Sequence, residues 1–128
     1  MTAAQQRSMI ENYVNAYNRF DINGMLADLH EEVVFQNFSG DEVSLKTESK
    51  AAFRTQAEVA LNYFSERQQS ITSWQWLSPS VVQIDLVYRA VLAIDFPNGM
   101  KAGETLELTG RSKFTFQEQQ IIGIADYS

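Results

Sequence analysis

The sequence predicts an α+β fold in which three helices belong to the first half of the chain and most strands to the second half. In the first half, apolar residues recur at helical spacing, which is the pattern of helices with one buried face. Beyond residue 68, apolar and polar residues alternate over long stretches, which is typical of strands in an antiparallel sheet. The expected order of elements is α-α-β-α-β-β-β-β.

The first two helices are expected over residues 3–20 and 22–29, and a strand over residues 33–38. Asp21 can cap the second helix, because a carboxylate accepts hydrogen bonds from the free N–H groups of the first turn. His30 follows near the end of that helix, and as a lone histidine it is interpreted as structural. The apolar stripes of the two helices are Ile10, Tyr13, Val14 and Tyr17, then Ile22, Met25, Leu26 and Leu29.

Residues 39–50 form a polar segment that we interpret as a connection, and Ser49 is expected to begin the third helix. The remaining strands are expected over residues 68–77, 81–96, 104–117 and 121–127, separated by turn sequences such as Pro97-Asn98-Gly99. A long twisted sheet curled over three helices leaves a conical hollow, which is a natural site for a small molecule. A length of 128 residues predicts one domain, 1–128.

Composition argues against several classes of partner. The net charge is -6 and no basic cluster is present, so neither nucleic acid nor an anionic membrane surface is expected to bind. The chain has no cysteine, and it has neither metal-ligand spacing nor a glycine-rich cofactor motif, so no metal and no cofactor is expected. No signal peptide and no membrane span is visible, which favours a cytoplasmic protein.

Two polar side chains are candidates for chemistry in the hollow. Asp126 shares strand parity with Ile122 and Ile124; if that face lines the hollow, desolvation would raise the pKa of the carboxyl and make it a usable acid or base. Its alternative is a solvated carboxylate near the end of the chain. Asn37 could orient a ligand carbonyl or hydroxyl, since an amide both donates and accepts, or it could tie down the end of its strand.

Aromatic side chains supply the other candidates. Tyr13 and Tyr17 lie on the buried stripe of the first helix, where they are either core residues or donors into the hollow. Trp74 and Trp76 share one strand face. They are expected to be buried either in the hollow or in a subunit interface, and the pattern does not decide between the two.

Two segments, residues 16–37 (AYNRFDINGMLADLHEEVVFQN) and residues 110–128 (GRSKFTFQEQQIIGIADYS), resemble the nuclear transport factor 2-like superfamily. Within it, the chain is most similar to the SnoaL-like and ketosteroid isomerase-like proteins. The resemblance implies a cone-shaped α+β barrel, a pocket for a small apolar molecule that carries a carbonyl group, and a homodimer formed through the outer sheet face.

Isomerases of this family use a carboxylate base at the end of the first strand, with a tyrosine and an aspartic acid as donors to an oxyanion. The resemblance puts Asn37 at the base, Ala16 at the tyrosine (beside Tyr17) and Ser112 at the aspartic acid. Because an amide cannot abstract a proton, isomerase chemistry by that route is not expected. The ligand-binding residues that this resemblance and the apolar faces together predict are Tyr13, Tyr17, Asn37, Phe53, Tyr88, Ser112 and Phe114.

Three functions stay open on the sequence alone. The first is an enzyme of isomerase, cyclase or lyase type in which Asp126 is the acid or base. The second is a non-catalytic ligand-binding or dimerisation domain, which the missing isomerase residues favour. The third is a protein-interaction module that uses the outer face of the sheet.

Overall fold

A computed structural model describes all residues, 1–128. The helices are α1 (Ala3–Asn18), α2 (Ile22–Leu26) and α3 (Lys50–Ala60). The strands are β1 (Leu29–Ser39), β2 (Glu42–Thr47), β3 (Phe64–Ser78), β4 (Val81–Leu92), β5 (Thr105–Gln117) and β6 (Gln120–Tyr127).

Each helix begins at a side-chain cap. The Thr2 hydroxyl accepts a hydrogen bond from the N–H of Gln5, and the side-chain oxygen of Gln5 accepts one from the N–H of Thr2. Asp21 accepts from the N–H of Gly24 at 3.0 Å, and Ser49 accepts from the N–H of Ala52 at 3.0 Å. These contacts satisfy N–H groups that have no partner inside the helix, and they confirm the predicted starts of α2 and α3.

The strands form one sheet in the order β2-β1-β6-β5-β4-β3. β1 pairs with β6 in parallel, and every other pair is antiparallel. The sheet is curved and does not close, since β2 and β3 are both edges. The α+β class and the cone-shaped arrangement around three helices are therefore confirmed, with one strand more than predicted.

The core lies between the helices and the concave face of the sheet. Its fully buried side chains come from α1, from the start of β1, and from the parts of β4, β5 and β6 that lie side by side. The largest of these side chains are Phe114, Ile10, Leu29, Ile84, Leu92, Ile121, Ile124, Val33 and Val82.

Two predicted boundaries in the first half are wrong. β2 occupies residues 42–47, which we interpreted as a polar connection; it is an exposed edge strand, so its outer side chains carry no apolar alternation. β1 begins at Leu29, which is fully buried in the sheet and does not belong to the stripe of α2.

His30 consequently lies on β1 and not at a helix end. Its Nδ1 accepts a hydrogen bond from the N–H of Glu32 at 3.0 Å, and its Nε2 lies 3.1 Å from a carboxylate oxygen of Glu118. Both contacts fit a structural histidine.

Further boundaries shift in the second half. β3 begins at Phe64 and not at Gln68, and β4 ends at Leu92, which leaves Ile94 in the following loop and 43% exposed. The alternation of β4 is otherwise as predicted, with Val82, Ile84 and Leu86 buried on one face.

Trp74 and Trp76 pack against α1. Their rings stack with centroids 5.9 Å apart. The indole N–H of Trp76 donates to the side-chain oxygen of Gln6 at 2.8 Å, and the guanidinium of Arg7 lies 4.7 Å from the ring centroid of Trp74. The two tryptophans therefore anchor the first helix to the sheet.

The outer face of the sheet is polar around its centre. It carries a hydrogen bond from Ser73 to Asp85 at 2.7 Å and an ion pair between Arg89 and Glu107 at 3.6 Å. The homodimer through this face stays a prediction. None of the helices is both long and apolar enough to cross a membrane.

Candidate functional site

A cavity of about 340 Å³ lies between the three helices and the sheet. A second hollow of about 180 Å³ adjoins it, and the two share Tyr17, Asn37, Gln69, Tyr88 and Asp126. A volume of this size suits a small organic ligand. The larger cavity is lined by Tyr13, Tyr17, Met25, Phe35, Asn37, Leu45, Phe53, Gln56, Ala57, Ala60, Tyr63, Phe64, Arg67, Gln69, Tyr88 and Asp126.

Three neighbouring strands bring Asn37, Asp126 and Ser112 into one row. Asn37 on β1 is paired in register with Asp126 on β6, and Asp126 is paired with Ser112 on β5. The Ser112 hydroxyl donates to Oδ1 of Asp126 at 2.6 Å. Residues far apart in the sequence, which were identified separately as candidates, thus form a single polar group on the concave face.

Asp126 opens into both hollows and is partly buried between them. Burial raises the pKa of this carboxyl from 3.8 to about 6, and the hydrogen bond from Ser112 acts in the opposite direction. A carboxyl with this pKa exchanges its proton readily near neutral pH, which suits a general acid or base.

The inward direction of Asp126 depends on a bulge in β6. The pairing with β5 shifts between Thr115 and Phe116, so that Ile122 is an extra residue. Ile121 is therefore fully buried and Ile122 is not. Asp126 and Ile124 lie on the same inward face, as predicted. Ile122 was predicted to share that face, but it is the extra residue of the bulge and is not fully buried.

Two tyrosine hydroxyls in the cavity bind each other. The hydroxyls of Tyr17 and Tyr88 are 2.8 Å apart. Burial is the main cause that raises the pKa of each phenol. Both groups therefore stay protonated at neutral pH and can donate to a ligand oxygen.

Tyr13 differs from this pair because its hydroxyl forms no hydrogen bond within the protein. Burial raises the pKa of Tyr13, and the negative charge of Asp126 raises it further. The Tyr13 hydroxyl is therefore a protonated donor in the same cavity as the carboxyl of Asp126, with its hydrogen-bonding capacity unused.

Asn37 is held by the strand that the sequence did not reveal. Its side-chain nitrogen donates to the hydroxyl of Ser44 on β2 at 2.8 Å, and that hydroxyl donates in turn to the backbone oxygen of Asn37 at 3.1 Å. Asn37 lines both hollows. The amide thus both ties two strand ends together and presents its surface to the cavity.

Of the two phenylalanines predicted to bind ligand, only Phe53 lines the cavity. Its ring packs against that of Phe35 on β1, with the centroids 5.3 Å apart. Phe114 is 1% exposed and packs edge-on against Tyr13 at 5.7 Å. Phe114 therefore supports the wall behind Tyr13 and does not reach the cavity.

Sequence reasoning missed Arg67, a cavity residue that is 5% exposed. The signal that could have found it is strand parity, because Arg67 shares a face with Gln69 and Ile71 on β3. Because the strand was predicted to begin at Gln68, Arg67 lay outside it and its parity was not apparent. No group of three or more His, Asp or Glu side chains is placed to hold a metal ion.

Comparison with known proteins identifies the fold of this chain. No protein-family model matches the sequence, and no curated protein matches it. A candidate polyketide cyclase from Xanthomonas campestris is 22% identical with a TM-score of 0.81, covering 98% of this chain and 90% of its own. AclR, a candidate hydroxylase from Streptomyces galilaeus, is 18% identical with a TM-score of 0.76, covering 98% of this chain and 89% of its own.

A third solved structure is described directly by its fold. A nuclear transport factor 2-like protein of unknown function from Burkholderia pseudomallei is 13% identical with a TM-score of 0.77, covering 98% of this chain and 90% of its own. At these identities the likeness establishes the fold alone. The cone of helices and sheet, and the row of polar residues within it, therefore belong to a chain with the nuclear transport factor 2-like fold, whose structural neighbours include polyketide cyclase-like and ketosteroid isomerase-like proteins.

Proposed function

We propose that this protein is a SnoaL-like enzyme that moves a proton on a small, largely apolar carbonyl compound, in a reaction of isomerase, cyclase or lyase type. The observation that carries the proposal is the carboxyl of Asp126, which opens into an aromatic cavity and whose pKa is raised by burial to about 6. The candidate polyketide cyclases among the structural neighbours support the same class of substrate.

The residues divide into a proton carrier and donors. Asp126 takes the proton from a carbon next to the carbonyl group, and the bonding pair left on that carbon moves onto the carbonyl oxygen as an enolate. The unpaired hydroxyl of Tyr13 donates to that oxygen, since negative charge develops there in the transition state. In an isomerisation, Asp126 then returns the proton to another carbon. In a cyclisation, the enolate carbon attacks a second carbonyl carbon of the same molecule, the π electrons of that carbonyl group move onto its oxygen, and Asp126 gives the proton to the resulting alkoxide.

The cavity also restricts which molecules can bind. Aromatic rings of Phe35, Phe53, Tyr63 and Phe64 form much of its wall. Flat aromatic or polyketide-derived molecules stack well on such surfaces. Asn37 replaces the base of the ketosteroid isomerases, so the carboxyl of this site comes from the last strand and not from the first.

Proton abstraction can be tested before the substrate is known. A panel of aromatic ketones and lactones is incubated with the protein in D₂O, and NMR follows the loss of the proton next to each carbonyl group. We expect the protein to accelerate exchange for at least one compound, and Asp126→Asn to abolish the acceleration. Asp85→Asn, on the outer face, is the matched control and should exchange like the wild type.

Two outcomes would contradict the proposal. Exchange that survives in Asp126→Asn would remove the carboxyl from its role. Thermal stabilisation by a ketone without any exchange in the wild type would identify the alternative, a non-catalytic ligand-binding domain, because a ligand that binds only the folded state raises the melting temperature without chemistry.

A further inference from the structure

Arg67 lines the cavity and carries a positive charge that no carboxylate balances. Its side chain lies on β3, the residue is 5% exposed, and no Asp or Glu lies within ion-pair distance. By contrast Arg7, Arg19, Arg54 and Arg89 are exposed and each pairs with a carboxylate. A buried charge is costly unless a group of opposite charge or several hydrogen bonds compensate for it.

The contacts that Arg67 makes position the guanidinium but leave most of its donors free. Its Nε donates to the backbone oxygen of Tyr17 at 2.8 Å, and Nη2 has a weak contact to the sulfur of Met25 at 4.0 Å. The guanidinium carbon lies 3.8 Å from the ring centroid of Tyr17 and 4.5 Å from that of Phe20. A guanidinium has five N–H donors, and Nη1 has no partner here.

These contacts also explain why the charge stays inside. Two cation–π contacts hold the guanidinium over aromatic rings and compensate for part of its lost hydration. The aromatic rings, unlike a carboxylate, accept no hydrogen bonds from the in-plane N–H groups of the guanidinium. The neighbouring Glu66 is exposed and belongs to the other face of the strand, so it does not neutralise Arg67.

Asp126 lines the same cavity as Arg67 but forms no ion pair with it. Tyr13 lies within electrostatic reach of both residues, since the charge of Asp126 raises the pKa of its phenol and that of Arg67 lowers it. The two charged side chains are therefore separate attachment points in one aromatic space of about 340 Å³.

We infer that Arg67 binds an anionic oxygen of the ligand, and that the ligand is a small aromatic acid whose carboxylate pairs with the guanidinium. A planar carboxylate matches the in-plane N–H groups of arginine and can accept two of them at once. The rest of such a molecule lies along the aromatic wall toward Asp126. This inference rests on the proposed function, because it names the class of substrate that the same cavity takes.

The test compares two probes that share the same ring system, the anion 2-naphthoate and the neutral amide 2-naphthamide, in which an NH₂ group replaces one carboxylate oxygen. Dissociation constants are measured by calorimetry at pH 7. We expect the wild type to bind the acid about tenfold or more tightly than the amide, which corresponds to one charge-assisted pair. Arg67→Met replaces the guanidinium with an apolar side chain and should lose this preference while still binding the amide.

Arg89→Met is the matched control, since Arg89 is exposed on the outer face; it should keep the full preference. Arg67→Lys supplies a second variant should Arg67→Met fail to fold. It keeps the charge but loses the fork of donors, and we expect it to retain only part of the preference. An equal preference in the wild type and either Arg67 variant would overturn the inference, and so would tighter binding of the amide by the wild type.

The outcomes separate this inference from the proposed function. A charge preference that depends on Arg67, found in a protein that never exchanges a ketone proton, would support the inference and remove the catalytic proposal. Exchange that depends on Asp126, found in a protein without a preference for the acid, would remove the inference alone.

Discussion

Strands β5 and β6 each run from a packed end to a polar end along the same concave face, and the contrast between the two ends explains how this fold combines stability with a site. The packed end consists of Val82, Ile84, Phe114, Ile121 and Ile124, all 2% exposed or less. The polar end consists of Ser112 on β5 and Asp126 on β6. Tyr17 of α1, Arg67 of β3 and Tyr88 of β4 surround it, and all five residues line one or both hollows.

The backbone does not change between these ends. On β5 the inward face carries Ser112 two residues before Phe114, and on β6 it carries Asp126 two residues after Ile124. The sheet thus continues its alternation, and only the chemistry of the side chains changes. The packed end stabilises the fold, whereas the polar end holds a carboxyl and a cation that are unfavourable to bury, as is expected where function opposes stability.

The largest effect is expected at the packed end. Phe114→Ala should destabilise the protein by about 3–5 kcal/mol, because it removes a fully buried ring and leaves a cavity behind Tyr13. Chemical denaturation measures this loss. Leu108→Ala, at an exposed position of the same strand, should cost far less. Similar losses for the two variants would contradict the division into a packed and a polar end.

A smaller effect of opposite sign is expected at Asp126. Its pKa is raised from 3.8 in the unfolded state to about 6 in the folded state, so the folded state resists ionisation and loses stability as pH rises between these values. Above pH 6 the loss is complete and amounts to about 3 kcal/mol. Asp126→Asn cannot ionise and should therefore be more stable than the wild type above pH 6, with no such advantage below pH 4.

Denaturation at a series of pH values checks this sign. The difference in free energy of unfolding between Asp126→Asn and the wild type should grow from pH 4 to pH 6 and then remain constant. Asp85→Asn, at the exposed outer face, serves as control and should show no gain of this size. A difference that is the same at every pH would show that Asp126 ionises freely in the folded protein.

The smallest effect is expected for the tyrosine pair. Tyr17→Phe and Tyr88→Phe should each destabilise the protein by about 1 kcal/mol, because each removes one partner of the 2.8 Å hydrogen bond. The double variant should cost less than the sum of the two single variants, since both act on the same bond. Tyr63→Phe is the control, as the Tyr63 hydroxyl forms no such bond. Strictly additive losses would show that the two hydroxyls do not interact.

Much of the packed end could be predicted from sequence, because alternation identifies which residues of β4 and β5 face inward. Alternation also predicted Asp126 as a site residue, because its carboxyl falls on the same strand face as the apolar Ile124. The edge strand β2 was missed because its exposed side chains carry no apolar pattern. Arg67 was missed because the strand was predicted to begin at Gln68, one residue after it. Its burial depends on packing against Tyr17 and Phe20, which the sequence pattern does not show.

The family resemblance predicted the position of Asn37 in the pocket but not the position of the carboxyl. It placed a pocket residue at the end of β1, where Asn37 lines the cavity. It did not reveal that the carboxyl of the site lies on the adjacent strand, in register with Asn37. That juxtaposition needs the parallel pairing of β1 with β6, which joins the beginning and the end of the chain.

The most direct test of this account is the pKa of Asp126 itself. The carboxyl carbon of ¹³C-labelled Asp126 is followed by NMR as pH is varied, and Asp126→Asn identifies its signal. The account predicts a midpoint of about 6. A midpoint near 3.8, the ordinary value for an aspartic acid, would show a solvated carboxylate and would contradict a proton-transfer site at the polar end of the cone.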